Sequence, residues 1–219
     1  MGFTNSPLVD YTQISPSRTI GRNHSIDRIT PHCVVGQCSV ETLGRIFSNE
    51  DYEASSNYGI GVDGRVGMYV EEKDRSWCSS SGDNDHRAIT IECASDINPP
   101  NAFKDIVYNN LIELCVDICK RNGKTKLLWF NDKDKTLNYS PLSNEMVLTV
   151  HRWFSPKSCP GDWMYSRMGD LADKVTARLN KDTIYRVQVG AYSKKENAQN
   201  MVAKLKAAGF NAIIKQEII

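Results

Sequence analysis

The sequence has no apolar run approaching the roughly 18 residues that a membrane-spanning helix needs. Its mean hydropathy is −0.45. It has no excess of one charge either: 27 Lys and Arg face 26 Asp and Glu, a net charge of +1. That balance argues against a protein built to coat DNA or RNA, which would carry a basic surplus. The first ten residues hold no basic patch followed by an apolar stretch, so they do not read as a secretory signal peptide. An even cysteine framework is missing too. The seven cysteines, at 33, 38, 78, 93, 115, 119 and 159, are read mostly as reduced core residues rather than a disulfide scaffold. No low-complexity segment and no repeated unit is found. What is there is 219 residues of ordinary globular composition, 40% apolar and 24% charged. That length is one large domain, or one domain with a small module, and it can bury a core without disulfides.

Along the chain, strands and helices alternate. The first 17 residues are polar and contain proline, and they read as an extended arm. RITPHCVVG (28–36) reads as a short strand, and SVETLGRIF (39–47) as a short helix opened by a Ser-x-x-Thr cap. After a polar loop, YGIGVDGRVGMYV alternates about an Asp-Gly turn, a hairpin signal. A second polar loop leads into AITIEC (88–93), a β-branched strand. Residues 103–120 place Phe103, Ile106, Val107, Leu111, Leu114, Cys115 and Ile118 at helical spacing before an Asn-Gly stop. Short strands follow at 126–130 and 146–151, then a helix over 163–179. This intermixing predicts an α/β fold with a central mixed β-sheet flanked by helices. The pattern restarts after residue 182 as strand (184–192), helix (194–208) and strand (211–216), a small C-terminal β-α-β half-module.

One constellation could hold a metal. In HRWFSPKSCPG, His151 stands at a strand end and Cys159 follows eight residues later in a loop bounded by Pro and Gly. Tetrahedral zinc accepts imidazole and thiolate, and a catalytic site needs a third protein ligand. His32, on another strand, is the best candidate. Strand alternation puts His32 and Val34 on one face with Cys33 and Val35 on the other. On AITIEC, Ile89, Ile91 and Cys93 share one face, Thr90 and Glu92 the other. His151 shares its face with Thr149 and Val147. Each strand thus offers polar residues opposite an apolar set, and three such strands side by side would place a polar site over a packed core. Each residue alone has an ordinary structural explanation; the joint pattern carries the reading.

These residues resemble the zinc-dependent N-acetylmuramoyl-L-alanine amidases of the phage-lysozyme and peptidoglycan-recognition-protein type, over about residues 20–180. The landmarks are ITPHCVVG, SNYGIGVDGRV, SWCSSSGDNDHRAITIE and HRWFSPKSCPG. The resemblance implies an amidase catalytic domain over 1–180, with Zn2+ held by His32, His151 and Cys159. It implies cleavage of the amide between N-acetylmuramic acid and L-alanine, hence bacterial wall lysis of the endolysin or autolysin kind. It carries the family tyrosine onto Tyr58 and the family lysine onto Lys157, both as oxyanion stabilisers, and the strand glutamate onto Glu92 as acid/base. Tyr58 as proton carrier is the alternative to Glu92. Where many relatives have Trp-His, this chain has Trp77-Cys78. A non-catalytic peptidoglycan receptor on the same scaffold is the second reading; such members usually lack the cysteine ligand.

Residues 183–219 resemble a SPOR module, through YRVQVGAYSKKENAQNMVAKLKAAGFNAIIK. The resemblance implies a wall-binding module that takes glycan strands as partner. Only one of its two β-α-β halves is recognised: the chain is truncated, or two chains pair as a homodimer to complete a sheet, or the half is vestigial. This segment carries six basic and two acidic residues, a charge of +4, so the +1 of the whole leaves −3 for residues 1–182. With no nucleic-acid or membrane partner expected, the chain reads as one that accumulates in the bacterial cytoplasm and acts on the wall after release.

Overall fold

The computed structural model describes residues 2–181 and 188–216. In chain order the elements are β1 (Val9–Thr12), β2 (Arg18–Thr19), β3 (Arg28–Cys33), α1 (Val40–Phe47), β4 (Tyr58–Ile60), β5 (Val66–Met68), β6 (Arg75–Ser76) and α2 (Gly82–Arg87). There follow β7 (Ala88–Cys93), α3 (Asp105–Arg121), β8 (Lys126–Leu128), α4 (Lys133–Asn138), β9 (Glu145–Leu148), α5 (Asp162–Tyr165), α6 (Met168–Leu179) and α7 (Lys195–Ala207). Seven strands form one sheet in the order β1-β5-β4-β7-β3-β9-β8, and β2 and β6 pair apart from it. Only the β4–β5 pair is antiparallel in the large sheet; the other five pairings are parallel. The fold is therefore α/β with a mostly parallel central sheet flanked by helices. No helix among the described residues is long and apolar enough to cross a membrane.

Local chemistry accounts for the elements. The Ser39 side chain accepts from the Thr42 amide at 3.3 Å and starts α1, which buries Val40, Leu43, Gly44 and Phe47 on one stripe. At the β4–β5 turn Gly64 takes φ +88, a conformation that favours glycine. Helix α3 ends where the Lys124 amide reaches back to the Cys119 carbonyl at 2.8 Å, with Gly123 at φ +67. Its buried stripe and that of α6 cover one face of the sheet, over Ile29, Ile89, Ile91 and Cys93. Each such side chain removed from water contributes about 1.5–3 kcal/mol.

Two expectations for this part of the chain change. The supposed extended arm contains β1, which pairs in parallel with β5 at the sheet edge. Half of that edge strand faces water, so its sequence shows no apolar run. The single helix over 163–179 is two, α5 and α6, broken at Arg167. There the Arg167 guanidinium lies 4.1 Å from the Trp163 ring and donates to the Trp163 carbonyl at 3.0 Å. Met164 and Met168 are both buried, so the apolar spacing runs unbroken across the break.

The chain divides into compact units Met1–Lys181 and Asp182–Ile219. In the second, α7 forms as expected and buries none of its residues. Residues 211–216 carry no strand. A strand exists through its ladder partner, and part of the expected partner segment, 184–187, lies outside the described residues; 188–192 carry no strand.

Candidate metal centre

Strands β3 and β7 run in parallel register with Thr30 beside Thr90 and His32 beside Glu92. These residues look away from the α3/α6 core. The lower rung is saturated with hydrogen bonds. The Thr30 and Thr149 hydroxyls are 2.7 Å apart, and Asn84 of α2 donates to the first and accepts from the second, each at 3.1 Å. Thr90 shares a 2.7 Å bond with Ser76 and accepts from the Asn57 amide at 3.0 Å. On β4, Gly59 stands opposite Glu92. A Cβ there would meet Leu43 at 2.7 Å and Tyr69 at 2.8 Å, so the neighbouring packing requires glycine.

The upper rung differs. His32 is fully buried, and its Nδ1 lies 3.3 Å from Cys159 Sγ and 3.9 Å from Glu92 Oε1. The His32 and His151 ring centroids are 5.1 Å apart. His151 opens a 3-10 turn beyond β9, and its Nε2 is 2.9 Å from Ser80 Oγ, which leaves Nδ1 for another partner. The Arg152 amide donates to the Cys159 carbonyl at 3.1 Å and ties the two ends of the loop together. The ligand atoms of His32, His151 and Cys159 all lie within 4.8 Å of one another, and so do those of His32, Cys78 and Glu92. His32 Nε2 and Glu92 Oε2 are buried without a hydrogen-bond partner.

The electrostatics suit a cation. Burial, with His151 nearby, pushes His32 down to about 3, and burial with Lys157 lowers His151, so both imidazoles are neutral at physiological pH. Burial raises Glu92 to about 7, against a weak opposing bond from the Cys78 thiol at 3.9 Å. The Cys159 thiol is held up by a bond with Cys33 and by burial. Strand alternation pointed Cys33 away, yet it meets Cys159; it joins neither ligand cluster among the described residues. Zinc–nitrogen and zinc–sulfur bonds of about 2.0–2.3 Å put tetrahedral ligands about 3.3–3.8 Å apart. The 3.3 Å His32–Cys159 contact is of that size. Two neutral imidazoles and a thiol are a fitting donor set for zinc.

Above the cluster opens a cavity of about 350 Å³, whose lining includes Glu92, His151, Cys159, Lys157, Val35 and Tyr52. Lys157 is exposed at this mouth. Tyr58 is not there. It is fully buried on the opposite face, opposite Ile91 in the register, and its hydroxyl donates to Glu72 at 2.7 Å and accepts from the Ser6 amide at 2.9 Å. Burial and the Glu72 charge raise its pKa far above the usual value. The tyrosine at the site is Tyr52, in a 3-10 turn after α1, its hydroxyl raised by burial and by Glu92. The signal for it was modest: the only aromatic in the polar loop SNEDYEASSN.

Several solved structures share this fold. A mutant of PlyL superposes with TM-score 0.53 at 14% identity, covering 81% of this chain and 99% of that one. LysCS, an endolysin N-acetylmuramoyl-L-alanine amidase from Clostridium intestinale URNW, gives 0.52 at 16%, covering 83% and 100%. An AmpD selenomethionine derivative gives 0.52 at 17%, covering 78% and 99%. At such identities the likeness concerns the fold. No curated protein matches the chain by sequence. A SPOR domain model matches residues 162–218. That match begins before residue 183 and takes in α5 and α6, whose residues fall within the Met1–Lys181 unit. The N-acetylmuramoyl-L-alanine amidase model matches residues 22–162, which include His32, Glu92, His151 and Cys159, and the chain belongs to that family.

Proposed function

We propose that this protein is a zinc-dependent peptidoglycan hydrolase that cuts the amide joining the lactyl group of N-acetylmuramic acid to the L-alanine of the stem peptide. The observation that carries this reading is the convergence of His32, His151 and Cys159 within 4.8 Å, beside a buried carboxylate and under an open cavity. These three residues hold the ion. Bound zinc acidifies water toward neutrality and polarises the scissile carbonyl.

The chain's own groups do the rest. Glu92 accepts the proton of the attacking water at a carboxylate oxygen and returns it to the leaving alanine nitrogen. Its raised pKa suits both duties at neutral pH. Lys157 supplies positive charge at the cavity mouth for the developing oxyanion. Tyr52 takes the place expected of Tyr58, which is committed to Glu72. Ser80 orients His151 through Nε2. Residues 183–219 serve as the wall-binding module, with a basic surplus that strengthens encounter with an anionic wall and weakens with salt. The setting is endolysin-like lysis of the wall.

The test is digestion of purified wall with labelling of new amino termini. Release of alanine termini, abolished by chelation and restored by zinc, is expected. New reducing sugar ends without alanine termini would overturn the reading.

A further inference from the structure

His32 belongs to two groups of ligand atoms, and the amidase reading uses one of them. The other is built from Cys78, at the position where the family resemblance expects histidine, and Glu92. The Cys78 thiol lies 3.9 Å from Glu92 Oε1, and His32 Nδ1 approaches that same oxygen at 3.9 Å. All three ligand atoms fall within 4.8 Å of one another. The Cys78 backbone is fixed, because its amide donates to the buried carboxylate of Asp85 at 3.0 Å. The second oxygen of the same Glu92 carboxylate is buried without a partner. Buried polar atoms are seldom left unpaired, and where they are, a missing ion is one physical reason.

We propose that Cys78, Glu92 and His32 form a second seat for a thiophilic divalent cation such as zinc or cadmium. Thiolate, carboxylate and imidazole together suit a borderline or soft ion and discriminate against calcium and magnesium, which prefer oxygen. On binding, the Cys78 thiol gives its proton to solvent and the sulfur becomes a ligand. His32 Nδ1 faces both seats, so an ion centred in one weakens the other. The consequence rests on the amidase reading: an ion in the second seat takes Glu92 as a ligand and withdraws the proton carrier, so surplus thiophilic metal inhibits.

The experiment is cadmium titration of the full chain, followed by ultraviolet thiolate-to-metal charge transfer, which needs no turnover. Wild type, Cys159→Ser and the double variant Cys159→Ser/Cys78→Ser are compared, with Cys159→Ala in place of serine where the circular dichroism of the serine variant shows misfolding. The single variant has no thiolate in the first seat, so it should still bind one cadmium with a charge-transfer band. The double variant should lose that band. Calcium should displace nothing. A single variant without any band, or a band that survives removal of Cys78, overturns the second seat. Wild type that binds no cadmium overturns the metal-centre reading along with it, whereas wild type that binds and a single variant that does not removes this inference alone.

Discussion

The two faces of β3 and β7 are both buried, and they are filled by opposite means. One face carries Ile29, Ile89, Ile91 and Cys93, packed against α3 and α6 by shape alone. The other carries Thr30, Thr90, His32 and Glu92, and its lower rung is closed by hydrogen bonds to Asn84, Ser76 and Asn57. The buried side-chain polar atoms left unpartnered among the described residues are His32 Nε2, Glu92 Oε2 and Ser155 Oγ. The first two stand on these strands, and Ser155 is in the loop that delivers His151 and Cys159. An unpaired buried polar group costs about 1–3 kcal/mol. The fold carries that cost on one face, at one rung, where the reactive groups gather. The site is thus the place where polar satisfaction stops.

Substitutions on the two faces should separate cleanly. The largest effect belongs to Cys159→Ala, which should remove bound zinc and reduce wall hydrolysis to background; metal analysis by mass spectrometry beside the lysis assay checks both. Retained zinc with full activity would take Cys159 out of the ligand set. Glu92→Gln should keep zinc and lower turnover by about 10²–10⁴-fold, the usual range for a lost acid/base group. Normal turnover would move the proton carrier elsewhere. On the opposite face, Ile91→Ala should cost about 2–5 kcal/mol in denaturant unfolding through the cavity it leaves. Zinc stoichiometry and the rate constant of the folded fraction should stay as they are.

This division was partly legible in the sequence. Alternation along RITPHC and AITIEC is enough to sort Ile89, Ile91 and Cys93 from Thr90 and Glu92, because a strand's side-chain period is fixed at two. The Ser39 cap and the Asp63-Gly64 turn are local chemistry and needed no tertiary information. Tyr58 shows where such reading stops. Its strand is three residues long, and its face depends on whether it stands beside Ile91 or Glu92 of β7. A one-residue slip reverses the face, and nothing local to SNYGIG sets that register. The neighbour of Glu92 is Gly59, and the tyrosine at the cavity comes instead from a loop whose path no periodicity describes. The break at Arg167 is hidden for a related reason, since both helical pieces bury the same stripe. Residues 211–216 read as a strand from their apolar run and carry no ladder.

Tyr58→Phe is the smallest of these effects and the sharpest test of the comparison. The Tyr58 hydroxyl is held by Glu72, itself 1% exposed and bonded to Arg121 at 2.5 Å. Burial and the Glu72 charge keep this hydroxyl protonated, and its proton is committed to Glu72 on the face away from the cavity. Phenylalanine preserves the ring in the core and deletes only the hydroxyl. Glu72 keeps its ion pair with Arg121, and the Ser6 amide loses its acceptor. The expected outcome is a loss of about 1–2 kcal/mol in unfolding free energy, with kcat, KM and zinc content those of the parent. Tyr52→Phe, beside Glu92 in the cavity, should do the reverse, leaving stability nearly unchanged while lowering kcat. Should Tyr58→Phe slow the reaction of a fully folded, zinc-loaded protein and Tyr52→Phe leave it alone, the two tyrosines would have exchanged roles, and the assignment of the Tyr58 side chain to the core face would fall with them.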